Sequence, residues 1–134
     1  LTGRYPLRYG LQMMSILPWN TYGISEKERL LPEALKTVGY STAAFGEWRL
    51  GHAQKKFFPT ERGFDYFFGS LNKGKNHFKS SETEDLDWWE GEERVSVEGY
   101  DAEIILKSVK DYIKDNANKP PFFLYISFFI SKFE

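Results

Sequence analysis

Glu47 and Arg49 stand on either side of Trp48, and His52 follows three residues later. An arginine so placed donates hydrogen bonds to an anion but does not exchange protons near neutrality, because its pKa lies above about 12. The neighbouring glutamate can pair with it instead, and a surface ion pair of that kind adds little stability. His52 and His77 are the only histidines, and the chain has no cysteine. Two histidines this far apart make no recognisable zinc site, and these residues offer no thiol or disulfide chemistry. His77, set among lysines and an asparagine, reads as a solvated loop residue. The acidic stretch from Glu82 to Glu93 lacks the ligand spacing and glycine of an EF-hand, so it reads as a solvated face rather than a calcium loop. Trp48, Trp88 and Trp89 are either stacking faces for a sugar ring or aromatics of the core.

These side chains need elements to hold them. Ser25 with Glu28 has the form of a capping box, with Pro32 delaying the regular helix. Pro32 in a first turn, then Glu33, Ala34, Leu35 and Lys36, with Gly39 as the stop, predicts a short helix. Tyr40 to Phe45, small and β-branched, predicts a buried strand between helical layers. Residues 47–80 show little periodicity and read as loop-rich, with the Arg62-Gly63-Phe64-Asp65 turn as architecture. Ala102, Ile105, Leu106, Val109, Tyr112 and Ile113 recur at helical spacing. Asn116 to Pro121 breaks that helix, and Phe122 to Ile130 predicts a further buried strand. Strand alternating with helix predicts an α/β sheet with layers on both sides.

Composition narrows the function classes. The 134 residues have one domain's length, with 41% hydrophobic and 18% aromatic residues, as in a globular chain. Eighteen basic and nineteen acidic side chains nearly cancel, so no overall basic field attracts nucleic acid or an anionic membrane. The apolar run from Phe122 to Ile130 falls well short of the roughly 20 residues that span a bilayer. No signal peptide is visible, and no Asn-x-Ser/Thr acceptor occurs.

The run Gly39-Tyr40-Ser41-Thr42-Ala43-Ala44-Phe45-Gly46-Glu47-Trp48-Arg49-Leu50-Gly51-His52 resembles the second signature of the sulfatases, G-Y-x-T-x-x-x-G-K-W-H-L-G-H. Leu1-Thr2-Gly3-Arg4 is similar to the tail of the first sulfatase signature, and Arg8-Tyr9-Gly10-Leu11-Gln12 follows as in the arylsulfatase B-like branch. Pro59 to Gly69 resembles the P-T-x-R-G-F-D-x-F-x-G block, and Leu86 to Glu93 is a looser match to a later block. Pro121 to Phe128 resembles the strand leading to another active-site histidine. The blocks keep the family's order across almost the whole chain.

The resemblance implies an alkaline phosphatase-like α/β fold, with residues 1–134 forming part of an N-terminal catalytic domain truncated at both ends. Arg4 is expected to cap or brace the helix of the first signature. In the intact family the resemblance implies a cysteine-derived formylglycine nucleophile, a calcium ion held by Asp and Asn, and lysine and histidine side chains that hold the sulfate ester and move protons. No calcium ligands are recognised in this chain. Glu47 stands at the family's lysine, Arg49 at its histidine, and Lys132 at the later histidine. Trp48 and His52 are candidate substrate-binding positions, and His52 reads more readily as structural. The expected substrates are sulfated small molecules or glycans, and the expected location is lysosomal or secreted. Three altered positions together argue against catalysis. The expectation is a fragment of an arylsulfatase-like sulfuric ester hydrolase that is inactive as it stands. The alternative is a degenerate sulfatase-like protein acting, if at all, in sulfated-glycan binding or scaffolding. A phosphodiesterase or phosphatase on the same fold fits the signatures less well, and a decayed gene is the remaining reading.

Overall fold

Strand β1 (Ser41–Glu47) is buried on both faces along Thr42–Gly46, as its small and apolar residues predict for an inner parallel strand. The computed structural model describes residues 1–12, 16–72, 87–119 and 121–129. Lys132, His77 and the first part of the acidic stretch lie outside them.

Two strands flank β1 in parallel: β2 (Tyr66–Ser70) and β5 (Phe122–Ser127). A short hairpin, β3 (Trp88–Glu90) and β4 (Glu93–Arg94), adds antiparallel strands beyond β2, giving the order β4-β3-β2-β1-β5. The segment read as loop-rich therefore contains β2. Its Tyr-Phe-Phe-Gly-Ser sequence has neither length nor alternation, because a parallel strand covered on both faces needs no polar side. The tryptophan pair likewise lies in a strand, and the hairpin turns at Gly91.

Alternation along β1 divides the core. Ala43 and Phe45 pack with Phe68, Ile105 and Val109, whereas Ala44 and Trp48 pack with Ile24, Leu30, Phe64, Phe67 and Leu71 on the opposite face. Helix α2 (Asp101–Asn116) covers the first face with Ile105 and Val109, one turn apart as the periodicity predicts. Tyr112 continues that stripe, edge-on to Phe45 at 5.7 Å. Asp101 and Glu103 in its first turn and Lys114 in its last suit the helix dipole. β5 is less covered than expected, with Ile126 40% exposed, because it forms the sheet edge among the described residues.

Helix α1 (Leu31–Lys36) starts and stops as predicted, with Pro32 in its first turn and Gly39 at φ 86 beyond its end. Its cap differs from the expected one. The Glu33 carboxylate accepts the Leu30 N–H at 2.7 Å, while Ser25 and Glu28 form a turn closed by Glu28 N–H to the Ser25 carbonyl at 3.0 Å. Glu28 reaches back to Arg4 at 2.5 Å, so Arg4 braces this turn. Arg62, 3% exposed, ties the region together by donating to Glu33 and to the carbonyls of Ile24 and Glu28.

Asp65 joins the turn before β2 to the start of β1. Its carboxylate accepts the Thr42 N–H at 2.9 Å and meets the Lys36 ammonium at 2.6 Å. Burial alone would raise its pKa, but Lys36 and the two Thr42 donors outweigh burial and hold the carboxyl below its usual range. A depressed folded-state pKa makes the carboxylate stabilising above about pH 4, and this contribution disappears as pH falls through the lower folded value. Asp65→Asn is therefore expected to lower the urea midpoint at pH 7, with the gap to wild type narrowing as acid protonates the carboxylate. An equal gap in acid would place the cause elsewhere. Solvent around the exposed Lys36–Asp65 pair keeps the effect modest.

Candidate functional site

The carboxyl ends of the three parallel strands lie side by side, where open α/β sheets place their ligands. Glu47 closes β1 opposite Ser70, which closes β2, while Gly46 stands opposite Ser127 at the end of β5. The chain then stays beside β2 for two more residues: Trp48 N–H reaches the Ser70 carbonyl at 2.9 Å, and Arg49 N–H reaches that of Leu71 at 3.2 Å.

Trp48 anchors this corner. Its side chain is buried, its indole N–H donates to the Phe57 carbonyl at 2.8 Å, and its ring lies edge-on to Phe64 at 5.9 Å. With the indole in the core, Glu47 continues the opposite face of the strand. Arg49 has φ 54, the one positive φ outside glycine among the described residues. Such a conformation is uncommon for a long side chain and persists only where the surroundings enforce it. Beyond this bend the Arg49 guanidinium returns to Glu47, with Nη2 2.7 Å from Oε1. The two side chains are 31% and 18% exposed, so the pair remains accessible from solvent.

The pair changes what the corner offers a ligand. Each charge already faces its opposite, so the local field is dipolar rather than cationic. Arg49 has donors for an anion, but Glu47 lies beside them.

The remaining sequence candidates among the described residues are not gathered at the pair. His52 Nε2 lies 3.0 Å from the Pro18 carbonyl, which gives that ring nitrogen the donor role, and its buried Nδ1 has no hydrogen-bond partner among the described residues. Trp89 packs edge-on to Phe58 at 5.1 Å, under Arg94. Trp88 packs against Phe68 and Phe129 at 5.4 Å each. Both tryptophans thus serve the core on at least one face.

Asp87 is the one strand-end residue singled out in the sequence only as part of a loose block. Its carboxylate accepts from the Ser70 hydroxyl at 2.5 Å, the Asn72 N–H at 2.6 Å and the Trp89 indole at 2.9 Å. It thereby ties the end of β2 to the start of β3. No local pattern announces this role, because its partners lie 15 and 17 residues upstream as well as next door.

Among the described residues, no three His, Cys, Asp or Glu side chains converge as a metal site would need. Glu47 and Asp87, the carboxylates at the strand ends, are engaged by Arg49 and by three hydrogen-bond donors. These residues do not fit a divalent cation. An open groove of about 720 Å³ lies along α2, lined by Tyr66, Glu90, Glu98, Lys107, Asp111 and Tyr112 among others. Its Tyr66 end lies at the opposite end of β2 from Ser70. The mainly acidic lining disfavours anions. Burial and the hydrogen bond to Glu90 raise the Tyr66 pKa, which keeps its hydroxyl a donor.

The Sulfatase family model matches residues 1–130. Human N-acetylgalactosamine-6-sulfatase is 34% identical over 93% of the chain, and mouse arylsulfatase J is 46% identical over 53% of it. The chain spans 27% and 12% of these relatives, respectively. The crystal structure of Ps i-CgsB in complex with k-i-k-neocarrahexaose superposes with a TM-score of 0.84 at 24% identity, covering 96% of this chain and 32% of that one. The PsFucS1 sulfatase from Pseudoalteromonas sp. superposes at 0.74 and 25% identity, covering 95% of this chain and 32% of that one.

Proposed function

Because the chain belongs to the sulfatase family and has the expected α/β fold, we propose that it is part of a larger arylsulfatase-like catalytic domain whose second-signature site holds glycan without cleaving sulfate esters. The observation that carries this reading is the 2.7 Å contact between Glu47 and Arg49 at the end of β1. Sulfate ester cleavage builds negative charge on the sulfuryl and leaving-group oxygens, so cations and donors must be fixed there beforehand. A group that titrates near neutrality must also protonate the leaving oxygen. By resemblance, Glu47 occupies the place of the cation and Arg49 that of the histidine. Two unit charges about 4 Å apart interact by roughly 4 kcal/mol at an effective dielectric near 20. Replacing attraction by repulsion at one such position thus outweighs the net value of a single hydrogen bond, about 1 kcal/mol.

Lys132 extends the pattern at the family's later histidine: it keeps a charge but is a poor proton shuttle unless buried. The nucleophile of the family derives from cysteine, and these 134 residues contain none. Calcium, with its Asp and Asn ligands, is likewise assigned to the remainder of such a domain. The human relative's name points to N-acetylgalactosamine 6-sulfate as the first sugar to try, and the family setting to a lysosomal or secreted location. No described helix is long and apolar enough to cross a membrane.

The test measures sulfate released from an aryl sulfate and from N-acetylgalactosamine 6-sulfate by the protein that carries this segment. The expected result is release no faster than in buffer, together with saturable glycan binding. Enzymatic release with Glu47 and Arg49 in place would sink the reading.

A further inference from the structure

Glu98, Glu103, Asp111 and Asp115 line the groove along α2, the first just ahead of the helix and the others along it. Among the described residues none of them takes part in an ion pair; the pairs that form engage other carboxylates. Lys107 is the single cation of the described lining, one helical turn from both Glu103 and Asp111. The four acids are exposed, whereas Tyr66, Val97, Ile104 and Tyr112 are half-buried and Phe68 is buried. The groove therefore has an apolar floor packed on the core and an acidic rim that repels itself.

We infer that this groove binds a linear polyamine, its methylene chain on the floor and its ammonium groups at the rim. The rim selects a cation, because a cationic guest relieves the repulsion among the carboxylates. The floor selects one with hydrocarbon between its charges: methylenes gain by leaving water, and a tyrosine face attracts an ammonium. Successive rim positions on α2 lie one turn apart, about 6 Å, a spacing that ammonium groups joined by short methylene chains also have. Width decides against a basic protein segment. The lining from Tyr100 to Asn116 extends about 24 Å along the helix axis, so 720 Å³ over that length leaves a mean cross-section of about 30 Å². An extended peptide fills about 48 Å², from strand and sheet spacings of about 4.8 and 10 Å. An alkyl chain fits where a peptide does not. The groove lies at the other end of β2 from the Glu47–Arg49 corner, so this inference stands apart from the glycan-holding reading.

The test titrates spermidine into the protein that carries this segment, followed by calorimetry. Saturable binding is expected, weakened about tenfold by Asp111→Asn with Asp115→Asn. The same loss of charge through Glu26→Gln with Glu61→Gln, exposed positions outside the groove, is expected to weaken it less than about twofold. Lys107→Gln is expected to strengthen it about threefold. Every substituted side chain is exposed, so the fold is retained, and thermal melts check this. No saturable binding, or equal weakening by the two double variants, overturns the inference. Tighter binding of a blocked trilysine peptide, equal in charge to spermidine, overturns it in favour of a basic protein segment.

Discussion

Placed in an intact sulfatase catalytic domain carrying this segment, Glu47→Lys together with Arg49→His is expected to raise kcat for an aryl sulfate by roughly 10³-fold or more. The size follows from two separate deficits. Loss of one preorganised donor to developing negative charge typically costs about 10² to 10³ in kcat. Loss of a positioned proton donor costs about 10² to 10⁴. Both positions lie at the carboxyl end of β1, and the 2.7 Å contact makes them one unit rather than two independent sites. The effects are therefore expected to be non-additive. Glu47→Lys alone sets two cations side by side, and Arg49→His alone leaves the anion in place. Steady-state rates of the chimera and its three variants decide the matter. A double variant no faster than the parent chimera would place the defect away from this corner.

Gly46→Ala is expected to cost about 3–5 kcal/mol, a large share of the roughly 5–15 kcal/mol that holds a domain together. Gly46 has φ 93, and a Cβ there would lie 1.8 Å from the Ser127 carbonyl oxygen. That oxygen belongs to the backbone of β5, paired with β1 in a fixed register. Relief requires the two strands to part just beneath the Glu47–Arg49 corner. A Cβ on Gly69 would meet the Gly46 carbonyl at 2.1 Å, so the close approach extends across all three parallel strands. Gly91 supplies the control: φ is 61 but nothing lies within 4 Å of its Cβ position. Gly91→Ala should therefore cost only the left-handed backbone penalty, roughly 1–2 kcal/mol. Urea unfolding of the two variants separates strain from collision. Equal midpoints would mean that the strands are not packed as closely as described.

Local signals were reliable where the physics is local. Helix α2 was legible because its buried stripe repeats every turn, whatever it packs against. Helix α1 was legible from proline and glycine, which constrain the backbone by their own covalent structure. β2 and the β3–β4 hairpin were not, since five and fewer residues acquire extended form by pairing with strands elsewhere in the chain. The Ser25–Glu28 pattern misled for the same reason: its glutamate is engaged by Arg4, 24 residues away, and no helix follows it directly.

By itself the sequence determined the family, the order of its signature blocks and the charge types at positions 47 and 49, because those are properties of residue identity and spacing. Residue identity allowed an ion pair there but did not require one. The tertiary structure decided that Glu47 and Arg49 touch, that Trp48 lies in the core between them, and that Arg62 and Asp87 close distant turns. Each of these depends on where remote backbone carbonyls and donors arrive. Those positions are set by the packing of β1 against β2, β5 and α2, a balance of non-local contacts that no window of neighbouring residues contains.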